Sequence, residues 1–278
     1  MIYGYSPTPS KRFLRFIAKL FVFVFRLNTN NPLAVEIAQA INPTIESTFE
    51  RQRNTFVSGH GRLVWRARHS YQDEPLLCQI ISKLNSEDVF LDIGANVGTF
   101  SIPASRKAKS VICIESDPIN YGLLYQNVVI NGVQDKVIII PTFLGRHTGC
   151  FPITYRDVSK GDALSAFGQT LKLPTHSPNL HTIRQGVMTL DDLYGNYELE
   201  LPTVVKIDVD GNEEFLLADK NQVLKQAKLI YIELSGLPHD KKIVDHLTLW
   251  GFRLSNSMEQ NGPTAITPKM TVQIYSKL

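Results

Sequence analysis

The chain reads as an α/β protein, a mostly parallel sheet with helices on both faces, preceded by an N-terminal extension over residues 1–75. Three observations predict this. From Pro75 onward, short apolar runs alternate with segments long enough for helices, the pattern of strands joined by crossovers. The stretch from Val89 to Ser101 runs apolar through Val89-Phe90-Leu91 and then turns at Gly94 and Gly98, as a doubly buried strand feeding a helix does. A second such strand end, Val204 to Asp210, carries charges that a buried strand normally excludes.

Taken in order, residues 28–75 predict short strands, with Thr55-Phe56-Val57 and Arg62-Leu63-Val64-Trp65-Arg66 as examples, and a helix packed on the core. The core domain, 76–278, then predicts a helix at 75–84, a strand at 88–93 and a helix at 97–107 that Pro103 should kink or shorten. A strand at 110–115, a helix at 118–131 and a strand at 136–141 follow. Residues 149–155 form a short extra strand, and 156–186 form a long loop rich in Gly, Ser, Thr, Pro and His. Lying between two core strands, that loop is either a substrate lid over the carboxyl edge of the sheet or a disordered insertion, a choice its composition leaves open. A strand at 229–234, a helix at 239–249, and Gly251-Phe252-Arg253-Leu254 with Thr271 to Tyr275 as a closing pair complete the order.

The glycine turn is a nucleotide-type pocket, but not a dinucleotide one. Asn96 stands where the second glycine of G-x-G-x-x-G belongs and Gly98 comes too early, so close approach of a pyrophosphate is not provided for. S-adenosylmethionine has different needs. Its carboxylate suits turn amides between Gly94 and Gly98, its ammonium suits Asp92, and its ribose diol suits Glu115, the acid about 20 residues beyond the turn. The adenine side falls after the third core strand, at Thr142 and Phe143.

Composition narrows the partners. A formal net charge of +3 over 278 residues, without a basic block interleaved with aromatics outside the N-terminus, does not point to nucleic acid. Cys78, Cys113 and Cys150 lie far apart, which predicts neither a disulfide framework nor a zinc site and fits a reducing, cytoplasmic compartment. The tract from Lys11 to Arg26 is basic and apolar, interrupted by Arg15 and Lys19, and too short to span a bilayer. Residues 11–27 therefore predict either a helix lying on an anionic membrane, at the inner face, or one docked on the core.

The segments LDIGANVGTFS and KIDVDGNEEFLL, with VMTLDDL between them and IYIELS after, resemble the FkbM family of S-adenosylmethionine-dependent methyltransferases from about residue 76 to the C-terminus. The resemblance implies a class I methyltransferase fold with seven strands, the last antiparallel, and O-methylation of a hydroxyl on a sugar or natural product. Asp210 stands where the family commonly has glutamate, and Glu213 matches the later acid.

Methyl transfer to a hydroxyl needs alignment and a group to take the proton. Asp208 at the end of its strand is the first candidate, with Lys206 beside it, and Glu233, which ends the next strand, is the second. Asp210, Glu213, His176 and His181 are assigned to the acceptor side. Acids at two strand ends also resemble catechol O-methyltransferase, where magnesium holds the acceptor oxygen, but their spacing here makes no strong metal motif and no ligand is assigned. Two other readings compete with the enzyme, a cofactor-binding scaffold without catalysis and a membrane-surface module acting through its N-terminus.

Overall fold

The computed structural model describes residues 43–59, 61–155, 165–167, 181–209, 213–216, 221–234, 236, 240–260 and 270–277, with Phe13, Phe16 and Ile17. Those last three are helical and exposed, and the rest of the 11–27 tract lies outside the described residues. Among the described residues no helix is long and apolar enough to cross a membrane.

The chain opens with a hairpin of β1 (Thr44–Phe49) and β2 (Gln52–Val57), then α1 (Gly61–Asp73) and α2 (Pro75–Lys83). The Arg62–Arg66 segment, expected as a strand, lies in α1. Its buried positions Leu63, Ala67 and Ser70 recur at helical spacing, which overrides the local apolar run. The hairpin packs Phe49 and Phe56 into the same cluster as Leu77, Ile81 and Phe90, so the segment before residue 76 shares the domain's core. Two asparagines at the end of the later helix α4 (Pro118–Ile130) fasten it, Asn127 in its last turn and Asn131 as its C-cap. Val57 N donates to Asn127 Oδ1 at 2.7 Å, and Thr55 N to Asn131 Oδ1 at 2.9 Å.

The core alternates β3 (Val89–Ile93), α3 (Ser101–Ser105), β4 (Ser110–Ile114), α4 (Pro118–Ile130) and β5 (Val137–Ile140). After a small second sheet come α5 (Leu190–Tyr197), β10 (Val204–Ile207), α6 (Glu213–Leu216), α7 (Gln222–Gln226), β11 (Leu229–Leu234), α8 (Asp240–Leu249), β12 (Arg253–Gln260) and β13 (Met270–Ser276). The seven-stranded sheet has the order β12-β13-β11-β10-β3-β4-β5. β13 runs antiparallel to both of its neighbours, and the pairings from β11 through to β5 are parallel. This is the class I methyltransferase topology, with one reversed strand slotted between the last two parallel ones. β3 is buried at all five positions, as a central strand covered on both faces must be.

Two further expectations need correction. The helix foreseen at 97–107 is only Ser101–Ser105, because the positive-φ turn at Gly98 delays its start and Pro103, lacking an amide, sits harmlessly in its first turn. The long loop foreseen at 156–186 is in part sheet. β6 (Phe143–Leu144), β7 (Gly149–Tyr155), β8 (Ser165–Phe167) and β9 (His181–Met188) form a four-stranded sheet in the order β6-β9-β7-β8. Residues 181–186 alternate, with Ile183, Gln185 and Val187 on the face opposite Thr182, Arg184 and Gly186, and β7 supplies the partner this period needs. The remainder of the expected lid, with His176, lies outside the described residues.

Candidate functional site

Four parallel strands end in one row, and β11 passes through it. The register aligns Ile140, Ile114, Ile93, Ile207 and Ile232 across β5, β4, β3, β10 and β11. The residues that follow this row are Pro141, Glu115, Gly94, Asp208 and Glu233. Ladder bonds carry the alignment one step further, since Glu115 N donates to Ile140 O, Gly94 N to Ile114 O and Asp208 N to Ile93 O. The sheet itself therefore brings two strand-end acids, a glycine turn and a third acid to one edge, the edge where open α/β sheets bind ligands.

The turn is shaped by backbone conformation. Gly94 (φ +80°) and Gly98 (φ +83°) are left-handed, and so is Asn96 at φ 51°, a value asparagine tolerates better than most residues. A Cβ on Gly94 would lie 1.9 Å from the Asp208 carbonyl oxygen, so glycine is required for the turn to nest against β10. Asn127 holds the far side, its Nδ2 donating to Val97 O at 2.8 Å.

Beneath the turn lies a buried charge network. Lys206 Nζ donates to Asp92 Oδ1 at 3.0 Å and to Gly94 O at 3.0 Å, and lies 3.3 Å from Asp208 Oδ2. Ser101 Oγ donates to the other Asp92 oxygen at 2.5 Å. Burial alone would pull the Lys206 ammonium down, but Asp92 and then Asp208 outweigh it and hold its pKa above the ordinary lysine value. Asp92 is 1% exposed and both of its oxygens are engaged within the protein, whereas the Asp208 side chain is 35% exposed. Of this set, Asp208 is the acid that faces outward.

Glu115 joins the turn to α4. Its Oε2 accepts from Asn96 N at 2.7 Å and its Oε1 from Asp117 N at 2.8 Å, while the Asp117 carboxylate caps α4 by accepting from Ile119 N and Asn120 N. Burial pushes the Glu115 carboxyl up to about 7, against the opposing pull of those two amides. A raised carboxyl pKa means that the folded state holds a proton the unfolded chain releases, so this group's contribution to stability falls as pH rises from the unfolded value, 4.5, toward about 7. E115Q is expected to flatten that part of the stability-versus-pH curve in thermal melts. An unchanged slope would contradict the raised pKa.

The other expected residues are placed as follows. Thr142 and Phe143 follow β5 and are buried, with Phe143 packed against Ile153, Tyr155 and Val187 in the core of the small sheet. Glu233 is partly exposed on β11. Glu213 is 1% exposed and turned inward, its Oε1 accepting from Val209 N at 3.4 Å. His181 is exposed and pairs with Tyr155. Asp210 and His176 lie outside the described residues. Among the described residues no group of three or more His, Cys, Asp or Glu could hold a metal ion. Sequence reasoning missed Ser101, Asn127, Tyr155 and Gln185 as parts of this edge. Asn127 left a signal, one of two asparagines, with Asn120, on the buried face of an uncharged helix.

The methyltransferase FkbM domain profile matches residues 92–254, more than half of the 278-residue chain. A hexuronic acid methyltransferase of Haloferax volcanii is 26% identical over 176 residues, covering 62% of this chain and 66% of that protein. A tRNA (guanine(37)-N(1))-methyltransferase of Candida albicans is 38% identical over 73 residues, 26% of this chain and 15% of that one. The chain thus spans less than two thirds of the length of either relative. The crystal structure of an FkbM methyltransferase from Methylobacillus flagellatus superposes with a TM-score of 0.46 at 14% identity, over 69% of this chain and 44% of that one. The glycine turn from Asp92 and the whole second motif fall within the span matched by the domain profile, and the chain belongs to the FkbM methyltransferase family.

Proposed function

We propose that the protein is an S-adenosylmethionine-dependent methyltransferase that O-methylates a hydroxyl on a sugar, glycan or natural product. The observation that carries this reading is the row Glu115, Gly94, Asp208 and Glu233 on one sheet edge. The residues present fit the cofactor. Glu115 is a buried carboxylate beside the turn, and each of its oxygens accepts one main-chain amide, which leaves lone pairs for a ribose diol. The bound cofactor supplies an electrophilic methyl group on a sulfonium.

The chain supplies alignment and a base. The turn from Gly94 to Gly98 and Glu115 hold the donor, while Thr142 and Phe143 stand on the adenine side. Asp208 accepts the acceptor's hydroxyl proton as that oxygen gains its methyl group, with Glu233 next in line on the neighbouring strand. Lys206 stays protonated and fixes the orientation of the Asp208 carboxylate. Asp210, His176 and His181 are grouped with the acceptor side, while Glu213, turned inward at 1% exposure, supports the turn after β10, and the sugar substrate named for the Haloferax relative supports the acceptor class.

D208N is expected to retain cofactor affinity within about threefold and to lose about 10²–10⁴-fold in turnover, the usual worth of a positioned base. Full turnover in that variant would end its assignment. The acceptor is tested by supplying radiolabelled S-adenosylmethionine to a lysate and separating glycan, small-molecule, protein and RNA fractions. Base-stable label in the glycan or small-molecule fraction is the expected result. Label in RNA, or label released by mild base as an ester would release it, overturns hydroxyl methylation.

A further inference from the structure

The small sheet touches the cofactor edge at one carbonyl. Gln185 Nε2 donates to Ser116 O at 2.7 Å, and the Tyr155 hydroxyl donates to Gln185 Oε1 while lying 3.2 Å from the same carbonyl. The two side chains stand on neighbouring antiparallel strands, Tyr155 opposite His181 and Gln185 opposite Phe151, and alternation puts all four on one face. Tyr155 is buried, and desolvation, reinforced by the Asp117 and Glu115 carboxylates, pushes its phenol above the ordinary tyrosine value, so it remains a donor.

Ser116 is the link between two tied residues. On one side Glu115 clasps the amides of Asn96 and Asp117, and on the other Asp117 caps α4. The Asp117 amide that Glu115 holds and the Ser116 carbonyl belong to one planar peptide unit, so donors on that carbonyl and the Glu115 carboxylate grip the same unit from opposite sides. We infer that Tyr155 and Gln185 are positioning residues that fix Ser116 and, through it, the Glu115 carboxylate against the glycine turn. The sheet that presents His181 is thereby fastened to the residue that receives the ribose. The inference rests on the methyltransferase reading above.

The test is calorimetric titration of the full chain with S-adenosylhomocysteine, together with steady-state kinetics. Y155F removes one hydroxyl and is expected to weaken binding about fivefold, the worth of roughly one hydrogen bond. Q185A removes the shorter donor to the Ser116 carbonyl, leaving it the Tyr155 hydroxyl at 3.2 Å, and also takes away the acceptor of that hydroxyl, so it is expected to weaken binding about tenfold. In both variants KM for the cofactor rises more than kcat falls. T182V is the control, because Thr182 pairs with Thr154 Oγ1 at 2.9 Å on the opposite face of the same sheet and should leave affinity unchanged.

Equal affinities across wild type, Y155F and Q185A overturn the inference, and so does an equal loss in T182V, which would mark a general effect of the sheet. If Q185A fails to fold, Y155F decides alone. Wild-type protein that binds no S-adenosylhomocysteine overturns the methyltransferase reading, and this inference with it.

Discussion

Replacing Lys206 by methionine is expected to lower the melting temperature by on the order of 10 °C, more than any other single side-chain change in the core network. Lys206 lies within 3.0 Å of Asp92 and 3.3 Å of Asp208, and Asp92 is 1% exposed. Methionine keeps the length and fills the space, but it leaves Asp92 as a buried carboxylate with only Ser101 as a side-chain donor. Removing one partner of a buried pair costs about 3–5 kcal/mol, because the other charge stays desolvated. The Gly94 carbonyl also loses its ammonium donor, so the turn loosens as the core weakens. A double variant that also replaces Asp92 by leucine should recover part of the loss, because it removes the stranded charge. A K206M melting curve superimposable on that of the wild type would refute the network's role.

That network also marks the limit of what the sequence discloses. The strands of the parallel core are legible to within about a residue, because they read as plain apolar runs: Val89–Ile93, Ser110–Ile114 and Leu229–Leu234 in the interior of the sheet, and Val137–Ile140 at its edge, where Ile138 is exposed. The strand-end acids are legible for the same reason, since a charge that closes an apolar run has only the sheet edge to occupy. The partners of those charges are not. The sequence pairs Lys206 with Asp208, two residues away on one face, whereas the shorter contact is to Asp92, 114 residues distant and directly opposite in the register. Periodicity reports which side of an element is buried but carries no information on which buried groups meet. The small sheet was missed for a related reason. β9 is mostly exposed and looks like loop by composition, and only pairing with β7 gives its alternation meaning. α1 shows the converse, a five-residue alternating stretch absorbed by the longer period around it.

Ser101 and Asn127 illustrate how site geometry can rest on residues with no motif of their own. Each is fully buried in a helix, and each spends its side chain on the turn or on the acid beneath it. Asn127 reaches two ways, to Val97 O in the turn and to Val57 N in the hairpin, so the segment before residue 76 is coupled by one amide to the backbone that frames the cofactor edge. The geometry of the turn is thus determined from three sides, by Lys206 below, Asn127 behind and Glu115 in front.

Alanine at the glycines of that turn should separate these constraints. G94A is expected to abolish cofactor binding, a loss of at least about 100-fold in affinity, and to destabilise the fold by more than the 1–2 kcal/mol that left-handed backbone alone costs. The added Cβ meets a backbone carbonyl, Asp208 O, at 1.9 Å, and neither side can yield. Gly94 is pinned through its amide to Ile114 O and through its carbonyl to Lys206, and Asp208 through its amide to Ile93 O. G98A carries similar left-handed strain, and its Cβ meets the Leu124 Cδ1 atom at 2.6 Å, the far end of a buried side chain that can give by a small shift where a pinned backbone carbonyl cannot. It should therefore cost about 1–2 kcal/mol in stability and only a modest factor in affinity. Gly122 sits within α4 with open space around it, so G122A should stabilise the protein by about 0.5–1 kcal/mol through helix propensity. Urea unfolding and S-adenosylhomocysteine titration of the three variants give the expected order G122A above wild type, wild type above G98A, and G98A above G94A. Equal affinity in G94A and G98A would mean that the contact with Asp208 does not shape the cofactor edge, because it is the one difference between the two turns that the backbone cannot relieve.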